Sequence, residues 1–238
     1  MTTTMPKRLS TLVLALALFA VPALAQSYQC VPPRALEPIK PVKPDGPARR
    51  TAIGGYTLAA SWSPDHCKTR GDPASMQCSG RQGRFGFILH GLWPEAARGL
   101  YPQWCATLPL PSPELLRRNL CMTPSAQLLV HEWAKHGSCM AKTPAQYFKV
   151  SAILWNSIRW PDADMLSRRD DLTAGDLRQA FVAANPSWKA EQVGLLVSGN
   201  GWLREVRLCY SKRFRPARCG PHLFGPANTA PLKIWRGL

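Results

Sequence analysis

Between positions 131 and 139 the sequence reads HEWAKHGSC, which sets two histidines, a carboxylate and an ammonium within six residues. The metal-binding pattern H-E-x-x-H needs its second histidine at position 135, where this chain carries Lys135. His131 and His136 are instead five residues apart. On a helix advancing about 100° per residue they lie about 140° apart around the axis, so they do not form the i, i+4 pair that grips one cation. His131 and Lys135 share one ridge, Glu132 and His136 the adjacent one, and Trp133 faces elsewhere. A cationic centre framed by one carboxylate suits an anion such as a phosphate diester. An ammonium and a protonated histidine stabilise charge developing in a transition state, and histidine moves protons near neutral pH. The plainer alternative is a solvated helix face with incidental histidines. A zinc hydrolase built on His131, Glu132 and His136 is a third reading, disfavoured by the spacing.

A second candidate lies upstream, in FILHGLWP at 87–94. Residues 84–90 form a short, largely apolar run suited to a buried strand that stops at Gly91, which places His90 at a strand end with Trp93 nearby as a stacking platform. Taken alone, a hydrogen-bonded structural histidine fits this position almost as well.

These groups need elements to carry them. Ser112-Pro113-Glu114 supplies a cap and a first-turn proline for one helix, and Pro124-Ser125 opens another that carries the 131–136 cluster to Gly137. Thr143-Pro144 starts a third, with Tyr147, Phe148, Val150, Ile153, Leu154 and Ile158 as its apolar face. Thr173 and Asp176 begin a fourth, through Leu177, Ala180, Phe181 and Ala184, stopped by Asn185-Pro186. Strands are predicted from Tyr56 to a stop at Pro64, over 84–90, and as a hairpin of 193–197 and 203–210 around Gly199-Asn200-Gly201. Residues 65–83, with Cys67 and Cys78, read as a stapled loop, and the Pro-rich connection 94–113 as a surface or substrate-facing loop. Early strands, then helices, then a hairpin predict an α+β fold: a central, mainly antiparallel β-sheet flanked by several helices in one disulfide-stapled domain.

The compartment follows from the first residues. Lys7-Arg8, an apolar run over 12–20 and Ala23-Leu24-Ala25 form a secretory signal over 1–25, cut before Gln26. The run is shorter than the roughly 20 residues of a spanning helix, so no membrane anchor is expected. Residues 26–54 are a Pro-rich basic leader, read as an extended segment or tether, because 30–50 hold six prolines and five basic residues. The domain proper is 55–238. All eight cysteines lie beyond the cut, an even number in an exported protein, so disulfides are expected. None forms C-x-x-C, which argues against a zinc ribbon. The net charge of +16 falls by two, to +14, without Lys7 and Arg8, and favours a polyanionic partner: nucleic acid, acidic polysaccharide or anionic membrane.

Together, FILHGLWP and HEWAKHGSC resemble the two active-site segments of the RNase T2 family of secreted, metal-independent ribonucleases. LAASWSPDHC at 58–67 resembles that family's first strand and LREVRLCYSK at 203–212 its late strand, so the likeness runs from about Tyr56 to Cys219. The resemblance implies that His90 is the general acid protonating the leaving 5′-oxygen and His136 the general base acting on the ribose 2′-OH. By the same likeness Glu132 and Lys135 polarise the phosphate and stabilise the pentavalent transition state, and His131 binds phosphate. Trp93 and Tyr101 match base-stacking positions, and Glu95 a base contact. The implied activity is endonucleolytic cleavage of single-stranded RNA to 2′,3′-cyclic and then 3′-phosphate ends, without metal or cofactor and without attack on DNA, by an exported monomer, periplasmic or secreted.

The family pattern also pairs Cys105 with Cys139 and Cys209 with Cys219. Cys67 with Cys78 reads as a local staple, which leaves Cys30 with Cys121 by elimination. His66 and His222 fall outside both segments and are assigned ordinary surface or loop roles. One departure is the absence of a further family cysteine near Val197 and Ser198 and of its C-terminal partner; the chain ends in LKIWRGL, whose packing the pattern leaves open. A basic protein that keeps the fold and binds polyanions without catalysis is the remaining alternative, against which all five catalytic positions being filled argues.

Overall fold

Ile53–Trp62 (β2) lies at the heart of a four-stranded antiparallel sheet, paired on one side with Phe87–Ala96 (β4) and on the other with Leu203–Ser211 (β6). Val193–Val197 (β5) completes the order β4-β2-β6-β5. A two-stranded ribbon joins Ser27–Tyr28 (β1) to Arg84–Phe85 (β3). The computed structural model describes residues 27–106 and 109–237, together with the first two residues. The expected signal over 1–25 therefore lies, beyond those two, outside the described residues.

Helices cover the sheet. Pro113–Asn119 (α2), Ala126–Lys135 (α3), Pro144–Asn156 (α4) and Ala174–Ala184 (α6) open where caps were read, with the side chains of Ser112, Ser125, Thr143 and Thr173 each accepting from a backbone N–H of the first turn. Three short helices were not foreseen: Ser63–Thr69 (α1), Ala163–Leu166 (α5) and Pro221–Phe224 (α7). The first occupies the start of the region expected to be loop; Pro64 ends the strand and serves as a first-turn helix residue. On α4, Ile153 is 59% exposed and not part of the apolar face. The core beneath β2 is aromatic: Trp62 packs on Phe87, Phe87 on Trp160, and Trp160 on Phe181. Among the described residues no helix is long and apolar enough to cross a membrane.

Four disulfides link Cys30–Cys121, Cys67–Cys78, Cys105–Cys139 and Cys209–Cys219. The Pro-rich leader is a strap and not a free tether. Between residues 30 and 48 prolines deny it helix or sheet ladders, yet Leu36, Ile39 and Val42 pack against the core. Lys40 exchanges hydrogen bonds with the Gln127 side chain, and Arg49 bridges to Gln103. At the other end, the tail packs without a disulfide. Lys233 bridges to Trp202, Trp235 stacks on Trp202 with centroids 4.1 Å apart, and the carbonyl of Trp235 accepts from Trp62 Nε1 at 2.8 Å.

Candidate active site

Strand β4 does not stop at Gly91; it runs on to Ala96 through a bulge. Ala60 faces Leu89 and Ala59 faces Gly91, so His90 is the extra residue with no partner opposite. A bulge reverses the alternation of side chains beyond it. Residues 90, 93 and 95 could not share one face of a regular strand, since 90 and 93 differ in parity. With the bulge, His90 joins Trp93 and Glu95 on the face that also carries Thr57, Ser61, Glu205 and Arg207, while Leu89 and Leu92 stay in the core. The edge is held by the connection between α2 and α3: Leu89 N–H donates to the Met122 carbonyl, and Thr123 Oγ1 donates to the Leu89 carbonyl.

Helix α3 brings the second set. Val130 and Trp133 are buried, which turns His131, Glu132 and Lys135 toward β4, and the helix ends at Lys135 with His136 as its C-cap, two residues before the expected Gly137. Gly137 is needed there, because a Cβ would stand 2.5 Å from the Trp133 ring and 2.8 Å from Tyr147. Gly91 is needed for a different reason: its Cβ would lie 2.0 Å from Glu132 Oε2. The strand backbone thus makes room for the carboxylate of the helix.

Glu132 is buried, accepts from Trp93 Nε1 at 2.7 Å, and stands 3.6 Å from His90 Nε2. Burial pushes its carboxyl up to about 7, against the opposing pull of His90, Trp93 and Lys135. His136 is buried as well, and burial together with the charges of Lys135, His131 and His90 pushes it down to about 3. His131 is lowered by burial and by Lys135. His90 moves the other way: burial opposes its charging, but the hydrogen bond it gives to Glu205 and the charges of Glu132 and Glu205 prevail and raise it. Its Nδ1 lies 2.6 Å from Glu205 Oε1.

All eight site residues expected from the sequence line one cleft of about 360 Å³. Trp93 meets His90 edge-on at 5.2 Å and lies 5.5 Å from His136, and Tyr101 flanks His136 at 6.0 Å. Glu95 accepts from Thr57 Oγ1 at 2.7 Å. The histidine assigned an ordinary surface or loop role, His222, stands at the rim with Nε2 3.9 Å from Glu95 Oε2; α7 carries it there, and the first-turn Pro221 is the local signal of that short helix. His66 does not line the cleft. Glu205 and Arg207 went unassigned, although their spacing of two on a predicted strand is the one signal that they share a face.

The arrangement offers one ring whose surroundings favour its protonated form, another whose surroundings favour the neutral form, and between them an ammonium and a high-pKa carboxyl. Aromatic surfaces wall the cleft. Such a set can give one proton and take another across a tetrahedral anion.

The sequence model of the Ribonuclease T2 family matches residues 53–219. A probable ribonuclease of Haemophilus influenzae is 32% identical over 191 residues, covering 73% of this chain and 64% of that protein. A ribonuclease of Aeromonas hydrophila is 38% identical over 99 residues, or 42% of this chain and 43% of that one. The chain thus spans less than two thirds of the length of these curated relatives. Among solved structures, trichomaglin, described as an S-like ribonuclease, superposes with a TM-score of 0.60 at 20% identity, covering 78% of this chain and 98% of its own. An RNase-related protein from Calystegia sepium gives 0.59 at 20% identity, over 76% and 96%. At that identity the likeness establishes the fold.

Proposed function

Because this chain belongs to the ribonuclease T2 family, we propose that it is an exported endoribonuclease, periplasmic or secreted, that cuts single-stranded RNA by transesterification. The carrying observation is that His90 and His136 share one cleft with Glu132 and Lys135 while their surroundings drive their proton affinities apart. His136, neutral at working pH, takes the proton of the ribose 2′-OH, and that oxygen attacks phosphorus. The P–O5′ bond breaks as His90 gives its proton to the departing 5′-oxygen, leaving a 2′,3′-cyclic phosphate. Water then opens the ring to a 3′-phosphate, with the two histidines exchanging roles. Lys135 and His131 face the anionic oxygens. Glu132, with a carboxyl at about 7, can hydrogen-bond them in its protonated form. Trp93 and Tyr101 suit a stacked base and Glu95 its polar edge. DNA lacks the nucleophilic 2′-OH, and no step calls for a metal or cofactor.

In this reading residues 1–25 are a signal peptide, 26–54 a leader, and 55–238 a monomeric ribonuclease domain. The test is incubation of the oxidised protein with RNA and with DNA, with and without EDTA. RNA cleavage that survives the chelator and yields 2′,3′-cyclic ends supports the assignment; chelator-sensitive cleavage, or equal cleavage of DNA, overturns it.

A further inference from the structure

Neither active-site segment includes Glu205, yet it makes the shortest polar contact to His90. Its buried carboxyl is divided between two tasks. Oε1 lies 2.6 Å from His90 Nδ1 and accepts from Ser61 Oγ at 3.2 Å, while Oε2 accepts from Arg207 Nε and Nη2 at 3.2 and 3.1 Å. The reach is set by register. On β2, Ser61 faces Glu205 and Ala59 faces Arg207, with Gly91 on the other side of Ala59. Ala59 and Gly91 are small enough to leave the space between β6 and β4 to the Glu205 carboxyl and the His90 ring.

An ionised carboxylate satisfies these donors and a neutral acid does not. Although burial opposes its charge, His90 and Arg207 hold the Glu205 carboxyl down to about 2. With Nδ1 engaged, Nε2 is the nitrogen left facing Glu132 Oε1 and the cleft.

We propose that Glu205 is the positioning residue of the acid histidine. It takes the Nδ1–H hydrogen bond, fixes the ring so that Nε2 delivers the proton to the leaving oxygen, and balances the imidazolium until transfer. Arg207 tempers that balance from the opposite carboxylate oxygen. This rests on the reading of His90 as general acid. The charged and titratable groups around His90 are Glu205 and Arg207 on β6, Glu132 with His131, Lys135 and His136 from α3 and its cap, and His66 on α1. Of these, Glu205 alone bonds to Nδ1 and Arg207 bonds to Glu205.

The test compares Glu205→Gln, Glu205→Ala and Arg207→Gln on two substrates: a dinucleoside monophosphate, whose alkoxide leaving group needs a proton, and a nucleoside 3′-(4-nitrophenyl phosphate), whose leaving group does not. Glu205→Gln keeps an acceptor but loses the charge. The alkaline limb of kcat/KM on the dinucleotide should move down by about one pH unit, and Arg207→Gln should move it up. Glu205→Ala should lower the dinucleotide rate about 10²-fold while the nitrophenyl ester loses less than about threefold. A purely structural Glu205 predicts equal losses on both substrates and an unmoved limb, and either result overturns the proposal. Should Glu205→Ala fail to fold, the isosteric Gln variant carries the test through the pH limb. His90→Ala is run alongside: if it too loses both substrates equally, the acid assignment itself is wrong; if His90→Ala spares the ester and Glu205→Ala does not, only the role of Glu205 falls.

Discussion

Lys135 Nζ stands 2.5 Å from Asp45 Oδ2, joining the ammonium of the cleft to a carboxylate on the Pro-rich strap. Asp45 also accepts from Trp104 Nε1 at 3.0 Å, and the Lys135 hydrogen bond leads the influences that hold its carboxyl below the usual range. The ammonium is therefore shared before any substrate arrives. Asp45 is 53% exposed, and such pairs are worth about 0–1 kcal/mol and are screened by salt. Asp45→Asn should lower KM for RNA about two- to fivefold at low ionic strength, with wild type and variant converging at high salt. A drop in kcat instead would mean that the strap holds Lys135 in place.

With His136 as the proposed base and His90 as the proposed acid, the two histidines should set the pH profile. The base must be neutral, and His136 is pushed down to about 3, so activity should persist through mildly acidic pH and be lost only as pH falls toward about 3. The acid must be protonated, and His90 is raised above the ordinary histidine value of about 6.5, so the alkaline limb should lie above that value. A profile of kcat/KM between pH 2.5 and 9 checks both limbs. An acidic limb near 6.5 would contradict the burial of His136.

Gly91 permits the closest approach between strand and helix in the site. A methyl group there would sit 2.0 Å from Glu132 Oε2 and 2.5 Å from Trp93 Nε1. Gly91→Ala should displace the carboxylate, reduce kcat/KM about 10²-fold and cost about 1–3 kcal/mol of stability. Gly199→Ala, with nothing within 4 Å of the added atom, is the matched control and should change neither. Kinetics and thermal melting of the pair decide it.

Much of this arrangement was legible because its signals are local. Ser125 and Thr143 cap the helices they were read to cap, and the 193–197 and 203–211 strands pair across the Gly199–Gly201 region as their alternation requires. His90 and Trp93 were recognised as neighbours, but not the bulge that makes them so. The strand was expected to end at Gly91 because a short apolar run meets a glycine there, and a glycine beside a bulge looks the same in sequence as one that ends a strand. Glu205 was missed for a related reason. Its partner is 115 residues away and meets it only through the register of β6 on β2, which no local pattern encodes. The strap's prolines correctly signalled the absence of regular structure. They carried no sign of Asp45 reaching Lys135, since a single polar contact has no periodicity.

The Cys105–Cys139 bridge has its own consequence for substrate affinity. It ties the loop bearing Tyr101 and Trp104 to the end of α3, where Trp104 N–H donates to the Lys135 carbonyl at 2.8 Å and the indole meets His131 edge-on at 5.5 Å. Trp104 has φ 52°, a left-handed conformation that costs a bulky residue about 1–3 kcal/mol and persists only where neighbours enforce it. Replacing both cysteines by serine releases that constraint and reopens the unfolded chain, with an expected loss of about 3–4 kcal/mol by chain entropy. The loop should relax before the domain unfolds, so KM for RNA should rise several-fold at temperatures where the melting curve still shows a folded protein, while kcat at saturation falls less. Equal KM values for the oxidised protein and the double serine variant would show that the hydrogen bonds of Trp104, Arg49, Arg50 and Thr51 hold the loop without the bridge.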